Sequence, residues 1–261
     1  MSGYSLRGLH WFNALSAGAS VVEGLPPSLK VADAELGRFI AVVADPDNRF
    51  PRARNGEVGL LEGWGLAKAV DDAISADRDS ARKRPVIAIV DVPSQAYGRR
   101  EEALGIHQAL AGAADSYARA RLAGHPVIAL LVGKAMSGAF LAHGYQANRL
   151  IALRDPGVMV HAMGKASAAR VTLRSVEELE ALASSVPPMA YDIDSYASLG
   201  LLWETLSVQQ IEQPTEEDLT RVTECLKQAI SDVTSTDLKG RLGASNRAAS
   251  SKVRELLRAQ W

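Results

Sequence analysis

Two stretches of the chain, Val86-Ile-Ala-Ile-Val90 and Val127-Ile-Ala-Leu-Leu-Val132, are apolar at every position. A strand with one face in water alternates apolar and polar residues. A run without alternation suits a strand covered on both faces, as in a parallel sheet between helices. Parallel neighbours need a crossover, and the intervening segment supplies one. From about Glu101 to Ala123 it is rich in alanine, and Gly124-His125-Pro126 stops it.

Other elements fall into place around these runs. Leu29-Lys-Val-Ala-Asp-Ala34 alternates, turns at Glu35-Leu-Gly37, and returns as Arg38-Phe-Ile-Ala-Val-Val-Ala44, which reads as a hairpin. A basic loop, Arg52-Ala-Arg-Asn-Gly56, precedes a helix from Leu60 to Ala76 with apolar residues near helical spacing. Strand Val127–Val132 leads into Gly133-Lys-Ala-Met-Ser-Gly-Ala-Phe140 and a short helix to about Tyr145. Strands follow at Arg149–Leu153 and Val158–Ala162. From about Gly164 to Trp261 the pattern is mostly helical, with breaks at Pro187-Pro188, Pro214 and Gly240/Gly243. The expectation is one α/β domain over residues 1–261. It comprises an N-terminal arm (1–28), a strand–helix core (29–170) and a mainly helical C-terminal region (171–261). The arm carries Trp11-Phe12, which must pack on its own domain or on a partner.

Composition excludes several function classes. A formal net charge of −1 gives the chain as a whole no electrostatic reason to bind nucleic acid. A single cysteine, Cys225, allows no internal disulfide and no multi-cysteine metal site; it reads as a small apolar helix residue. His10, His107, His125, His143 and His161 share no paired metal-ligand spacing, so no metal is expected. A G-x-G-x-x-G fingerprint and a Walker A sequence are both missing. No apolar run approaches the ~20 residues of a membrane span. The polar-interrupted stretch from Trp11 to Val22 does not read as a leader, and a cytoplasmic location is expected.

What remains is Gly133 to Gly144, a strand end that opens a helix at Ser137-Gly138-Ala139. The first amides of a helix lack internal partners, and Gly138 admits close approach to the backbone. Backbone N–H groups at Gly138 and Ala139 are thus candidates for an oxyanion hole. At the end of the other buried run, Asp91-Val92-Pro93-Ser94-Gln95, the amides of Ser94 and Gln95 are candidates for the second donor. Met136, Ser137 and Gly164 flank these groups and are expected to contact substrate.

These segments also carry a family resemblance. Asp91-Val-Pro-Ser94 is followed by Glu101/Glu102-x-x-Gly105-Ile106-His107 and a long alanine-rich helix. Pro126-Val-x-x-Leu, Gly133-Lys-Ala-x-x-Gly-Ala-Phe140 and Met163-Gly164 then follow in order. The set resembles the C-terminal carboxyltransferase half of acyl-CoA carboxylases over about Leu29 to Ala169. Ser94 replaces a glycine of the family pattern, and Met136-Ser137 replace Tyr-Gly. Within these relatives, Leu9-His10-Trp11-Phe12 and Ala139-Phe-Leu-Ala-His143-Gly resemble the malonate decarboxylase gamma subunits. The resemblance implies a crotonase-like (ClpP/crotonase) spiral of ββα units with a helical C-terminal cap. It implies a heterodimer with a beta subunit, an acyl carrier protein and an alpha transferase subunit as further partners, and decarboxylation of a malonyl thioester to an acetyl thioester. The thioester belongs to the carrier's CoA-derived prosthetic group, with no cofactor bound directly.

Three other readings stay open at this level. One is the carboxyltransferase half of a biotin-dependent system. A second is a Clp-like serine peptidase using Ser137 and His161, although aligning Gly138-Ala139-Phe140 on that pattern puts Met136 at the nucleophile position. The third is a scaffold subunit. The C-terminal segment adds a charge feature: Lys239, Arg241, Arg247, Lys252, Arg254 and Arg258 stand against one acid, Glu255. Ala249, Val253, Leu256 and Leu257 share one helical face there. Lys252, Arg254 and Arg258 are candidates for contacts with an acidic carrier protein.

Overall fold

In the computed structural model, residues 3–242 and 244–261 are described; residues 1, 2 and 243, with the expected break at Gly243, lie outside them. Helix α1 (Arg7–Leu15) and a two-residue strand β1 (Ser20–Val21) lead into the hairpin β2 (Leu29–Ala34) and β3 (Gly37–Val42). Helix α2 (Leu60–Ala76) and strand β4 (Val86–Val92) come next, then helices α3 (Arg99–Ala103) and α4 (Ile106–Leu122). Strand β5 (Val127–Met136) opens directly into α5 (Ser137–Ala142), followed by β6 (Arg149–Leu153) and β7 (Met159–His161). The remainder holds α6 (Lys165–Thr172), α7 (Val176–Ala183), α8 (Ile193–Ser198), β8 (Glu204–Leu206), α9 (Glu216–Ser231) and α10 (Ala248–Gln260).

The sheet runs β1-β2-β3-β4-β5-β6-β8, antiparallel through the hairpin and parallel from β3 onward. Every residue of β4 is buried, as its unbroken apolar run predicts. Helices α2 and α4 pack on each other and on the sheet, as do α1 and α9, so the strands are clad by two helix pairs. A buried carboxylate fixes the start of α2. Glu62 accepts hydrogen bonds from Ser28 Oγ (2.5 Å), Asn48 Nδ2 (2.8 Å) and the Gly59 amide (3.0 Å).

β5 is the element that positions the site, because it is used twice. Its first half pairs with β4 and β6; its last three residues pair with β7, in the register Lys134↔Met159, Ala135↔Val160, Met136↔His161. The strand therefore extends past Val132, where the sequence pattern ends it, and still pairs with β4 at Val92↔Ala135. The ladder shifts between Val90 and Val92, and Asp91 fills the irregularity. Its carboxylate accepts from the amides of Lys134 (3.1 Å) and, across the molecule, of Gly8 in α1 (3.2 Å). Gly133 is required there: a Cβ would lie 2.0 Å from Asp91 Oδ1.

Three local features differ from the sequence reading, and a fourth, open between two alternatives there, is decided. The crossover helix is two helices, because Gly105 takes a left-handed φ of +81° that interrupts the pattern. Strand β7 is shorter than Val158–Ala162. β8 goes unread in the sequence, being three residues with little burial at the sheet edge. The Trp11-Phe12 arm packs on its own domain: Trp11 is fully buried, and its indole N–H donates to the Ile211 carbonyl at 2.8 Å. Cys225 is buried on α9 as expected, and burial pushes its thiol up to about 11. No helix among the described residues is long and apolar enough to cross a membrane.

Candidate active site

The turn from β5 into α5 is held in an unfavourable conformation. Ser137 has φ +59°, a left-handed value that costs a residue with a Cβ about 1–2 kcal/mol. This sharp turn brings Ser137 and Gly138 to the wall of a cleft of about 460 Å³. Phe140, Leu141 and Tyr145 continue that wall; Val160 and His161 of β7, with Ala162 just after it, also line the cleft, and Pro187, Pro188, Tyr196 and Leu201 complete it. The lining is predominantly apolar, so a charge that develops there has few competing waters.

Gly138 meets the second predicted segment directly. Its amide donates to the side-chain oxygen of Gln95 at 2.9 Å. Gln95 is held by the strand end: Val58 N donates to Ser94 O and Ala96 N to Val58 O, so the segment is clipped to the loop before α2. Among the described residues, the amides of Ser94 and Gln95 have no hydrogen-bond partner. The structure thus brings Gly138 against the Gln95 side chain and sets Ser137 beside it on the cleft wall; Ser94 precedes Gln95 in the chain but lines no part of that wall. Ala139 is fully buried and, like Ser94 and Gln95, does not line the cleft wall. Met136 is likewise turned away, packing with Ala168, Leu179 and Tyr191. Gly164 is exposed at the start of α6, with open space where a Cβ would be.

Two histidines close to this turn behave oppositely. His143 is fully buried. The Ile89 carbonyl can only accept, so Nε2 carries the proton (2.9 Å), and Nδ1 accepts from the Tyr117 hydroxyl (3.0 Å). Burial pushes its pKa down to about 4. It is a neutral, satisfied core group. His161 is half-buried on the cleft wall. Its ring stacks on Tyr191, centroids 3.9 Å apart and planes 12° from parallel, and Nδ1 lies 3.0 Å from the Met163 carbonyl. Burial lowers its pKa, partly offset by that bond. No hydrogen bond joins His161 to Ser137 among the described residues, so the serine-peptidase pairing is not assembled. Sequence spacing singles out His161 only as a partner for Ser137 in the peptidase reading; the ladder to Met136 is what places it on the cleft.

The C-terminal cations divide into two groups. Arg241 donates to the carbonyls of Tyr145 (2.8 Å) and Ala147 and rests over the Tyr145 ring, and Arg247 donates to the Arg241 carbonyl. Lys252, Arg254 and Arg258 stand exposed on α10, where no residue is buried and no ion pair forms among the described residues.

Comparison with known proteins bears on this arrangement. A family model described as the malonate decarboxylase gamma subunit matches residues 53–261. A chain of a Pseudomonas malonate decarboxylase hetero-tetramer, solved in complex with coenzyme A, is 73% identical. It superposes with a TM-score of 0.94, covering 98% of this chain and 99% of that one. A chain of a Pseudomonas malonate decarboxylase MdcD–MdcE hetero-dimer is 70% identical, with a TM-score of 0.90 and the same coverage. The malonyl-S-ACP:biotin-protein carboxyltransferase of Malonomonas rubra is 36% identical over 182 residues. That match takes in 67% of this chain and 62% of the relative, so the chain spans less than two thirds of that protein's length. Transcarboxylase 12S, at 19% identity and a TM-score of 0.62 over 88% of this chain and 42% of that one, shares the fold alone. The expected crotonase-like carboxyltransferase fold is the one found.

Proposed function

The chain belongs to the malonate decarboxylase gamma-subunit family, and from that premise we propose that, with a beta subunit, it decarboxylates malonyl thioesters. The substrate in this reading hangs on the CoA-derived prosthetic group of a cytoplasmic acyl carrier protein, and the products are carbon dioxide and the acetyl thioester. An alpha transferase subunit loads the carrier. The whole chain acts as one carboxyltransferase-like domain.

One observation carries the mechanism: an amide carbonyl oxygen, that of Gln95, already sits on the Gly138 N–H at 2.9 Å. A thioester oxygen is the same kind of acceptor, and it displaces the carboxamide when substrate enters. When the carboxylate leaves, its bonding pair passes into the Cα–carbonyl unit and charge collects on that oxygen. A donor aimed at this point is stronger in the transition state than in the ground state, which is what lowers the barrier. The unpartnered amides of Ser94 and Gln95 provide the second donor. Ser137 contributes its strained backbone, not its hydroxyl. Lys252, Arg254 and Arg258 on α10 receive the acidic carrier.

Replacing Gly138 by Val in the assembled complex should lower turnover about 100-fold or more, with unchanged circular dichroism. Ser137→Ala should cost little. A folded Gly138→Val complex with wild-type turnover overturns the assignment. Carboxyl transfer to a biotin carrier is a second reading, favoured by the similarity to the malonyl-S-ACP:biotin-protein carboxyltransferase of Malonomonas rubra. Dependence of turnover on an added biotin carrier separates the two.

A further inference from the structure

Decarboxylation leaves a carbanion that must be protonated, and the oxyanion donors do not supply that proton. We propose that His161 delivers it, through Nε2, to Cα of the enolate. The inference rests on the decarboxylase reading above.

Three geometric facts converge on this residue. The β5–β7 ladder sets His161 opposite Met136, and the chain then turns through Ser137 to Gly138. Adjacent strands lie about 4.8 Å apart, which sets the His161 backbone one strand away from Met136, two residues before the oxyanion donor. His161 and Gly138 line the same cleft. The ring orientation is fixed from two sides, by the stack on Tyr191 and by the bond between Nδ1 and the Met163 carbonyl. Tyr191 is itself fixed, since its hydroxyl donates to the same carbonyl at 2.9 Å. With Nδ1 occupied by the Met163 peptide, 3.0 Å from its carbonyl and 3.2 Å from the amide N–H, Nε2 is the nitrogen left to gain and lose a proton.

The chemistry balances as follows. The malonyl carboxylate enters an apolar cleft and favours the protonated ring beside it. Cleavage of the carboxylate–Cα bond releases carbon dioxide and leaves its electron pair in the enolate. That pair then takes the proton from Nε2, the N–H pair stays on the ring, and the neutral imidazole recovers a proton from water at its half-exposed edge. Because the ring is anchored, the proton arrives on one face of Cα only.

The last point supplies a readout that a structural role would not move. The experiment uses the assembled beta–gamma complex and a malonyl thioester made chiral at Cα with deuterium and carbon-13, run in tritiated water, with the configuration of the acetyl methyl group analysed. Wild type should give a chiral methyl group. His161→Gln should give a racemic one, with turnover reduced on the order of 100-fold and little change in KM. Added imidazole should restore rate to His161→Ala. A chiral product from a folded His161→Gln complex overturns the proposal whatever its rate. A racemic product at wild-type rate supports it, with protonation fast relative to bond cleavage. Should Gly138→Val lose activity while His161→Gln keeps a chiral product, the decarboxylase reading stands and the proton donor lies elsewhere. Wild-type turnover by Gly138→Val removes the reading on which the inference is built.

Discussion

The two terminal helices look alike in sequence and behave differently in the structure. Each is amphipathic, and each carries tryptophan: α1 has Trp11 beside Phe12, and α10 ends next to Trp261. Yet Trp11 is fully buried and Trp261 fully exposed, and α10 buries none of its residues. The difference lies in anchors that amphipathicity does not report. α1 is tied through four residues: Gly8 to Asp91, Trp11 to Ile211, His10 to the Glu212 carbonyl, and Arg7 to Asp155 (2.8 Å) and Glu212 (2.6 Å). α10 has no comparable tie among the described residues, and its apolar face, Val253, Leu256 and Leu257, is about half exposed. A helical stripe states that a face wants cover; buried polar partners decide whether the same chain provides it.

The largest effect should come from the anchored end. Trp11→Ala removes a fully buried indole and should destabilise the isolated chain by about 3–5 kcal/mol, measured by denaturant unfolding. A loss under about 1 kcal/mol would show that α1 is as loosely held as α10, and the contrast would collapse. Asp91→Ala comes next. It strips the acceptor from two amides, Gly8 and Lys134, and should cost about 2–4 kcal/mol. Lys134 lies on the strand that presents Gly138, so this change should also lower turnover. Stability loss with full activity would mean that the bulge does not govern the active-site turn.

How far the sequence foretells this molecule follows the same line. The unbroken runs of β4 and β5 announce a doubly clad parallel sheet, since burial on both faces leaves a pattern with no alternation. Gly138 and the Ser94–Gln95 segment are legible because strand ends that lead into helices are few. What sequence does not carry is the contact between them, since the Gln95 side chain could turn elsewhere. His161 is legible only through its spacing from Ser137, because a three-residue strand has too little pattern to reveal its true partner. Ala139 and Met136 are expected in the site by adjacency, yet both side chains are buried, Met136 against Ala168, Leu179 and Tyr191.

At the loose end, removal of residues 248–261 should leave the melting temperature of the isolated chain within about 2 °C, since nothing buried is lost. A larger drop would mean that α10 caps its own domain after all.

The smallest effect, and the one most specific to α10, is on carrier encounter. Lys252, Arg254 and Arg258 are exposed and unpaired among the described residues, so they add little to folding. Exposed charge pairs are each worth about 0.2–1 kcal/mol, so three of them together amount to about 1–2 kcal/mol. Reversing all three to Glu in the assembled complex should therefore raise KM for an acidic malonyl carrier about tenfold at low salt. The gap should close as ionic strength rises and the screening length shrinks. Turnover at saturation should hold, because these residues touch no reacting atom, and small thioesters without a carrier should react as before. If the triple reversal leaves carrier kinetics unaltered at low ionic strength, the cations only solvate the helix. The exposed face of Val253, Leu256 and Leu257 is then the feature of α10 left to explain, and the beta subunit becomes the first partner to test against it.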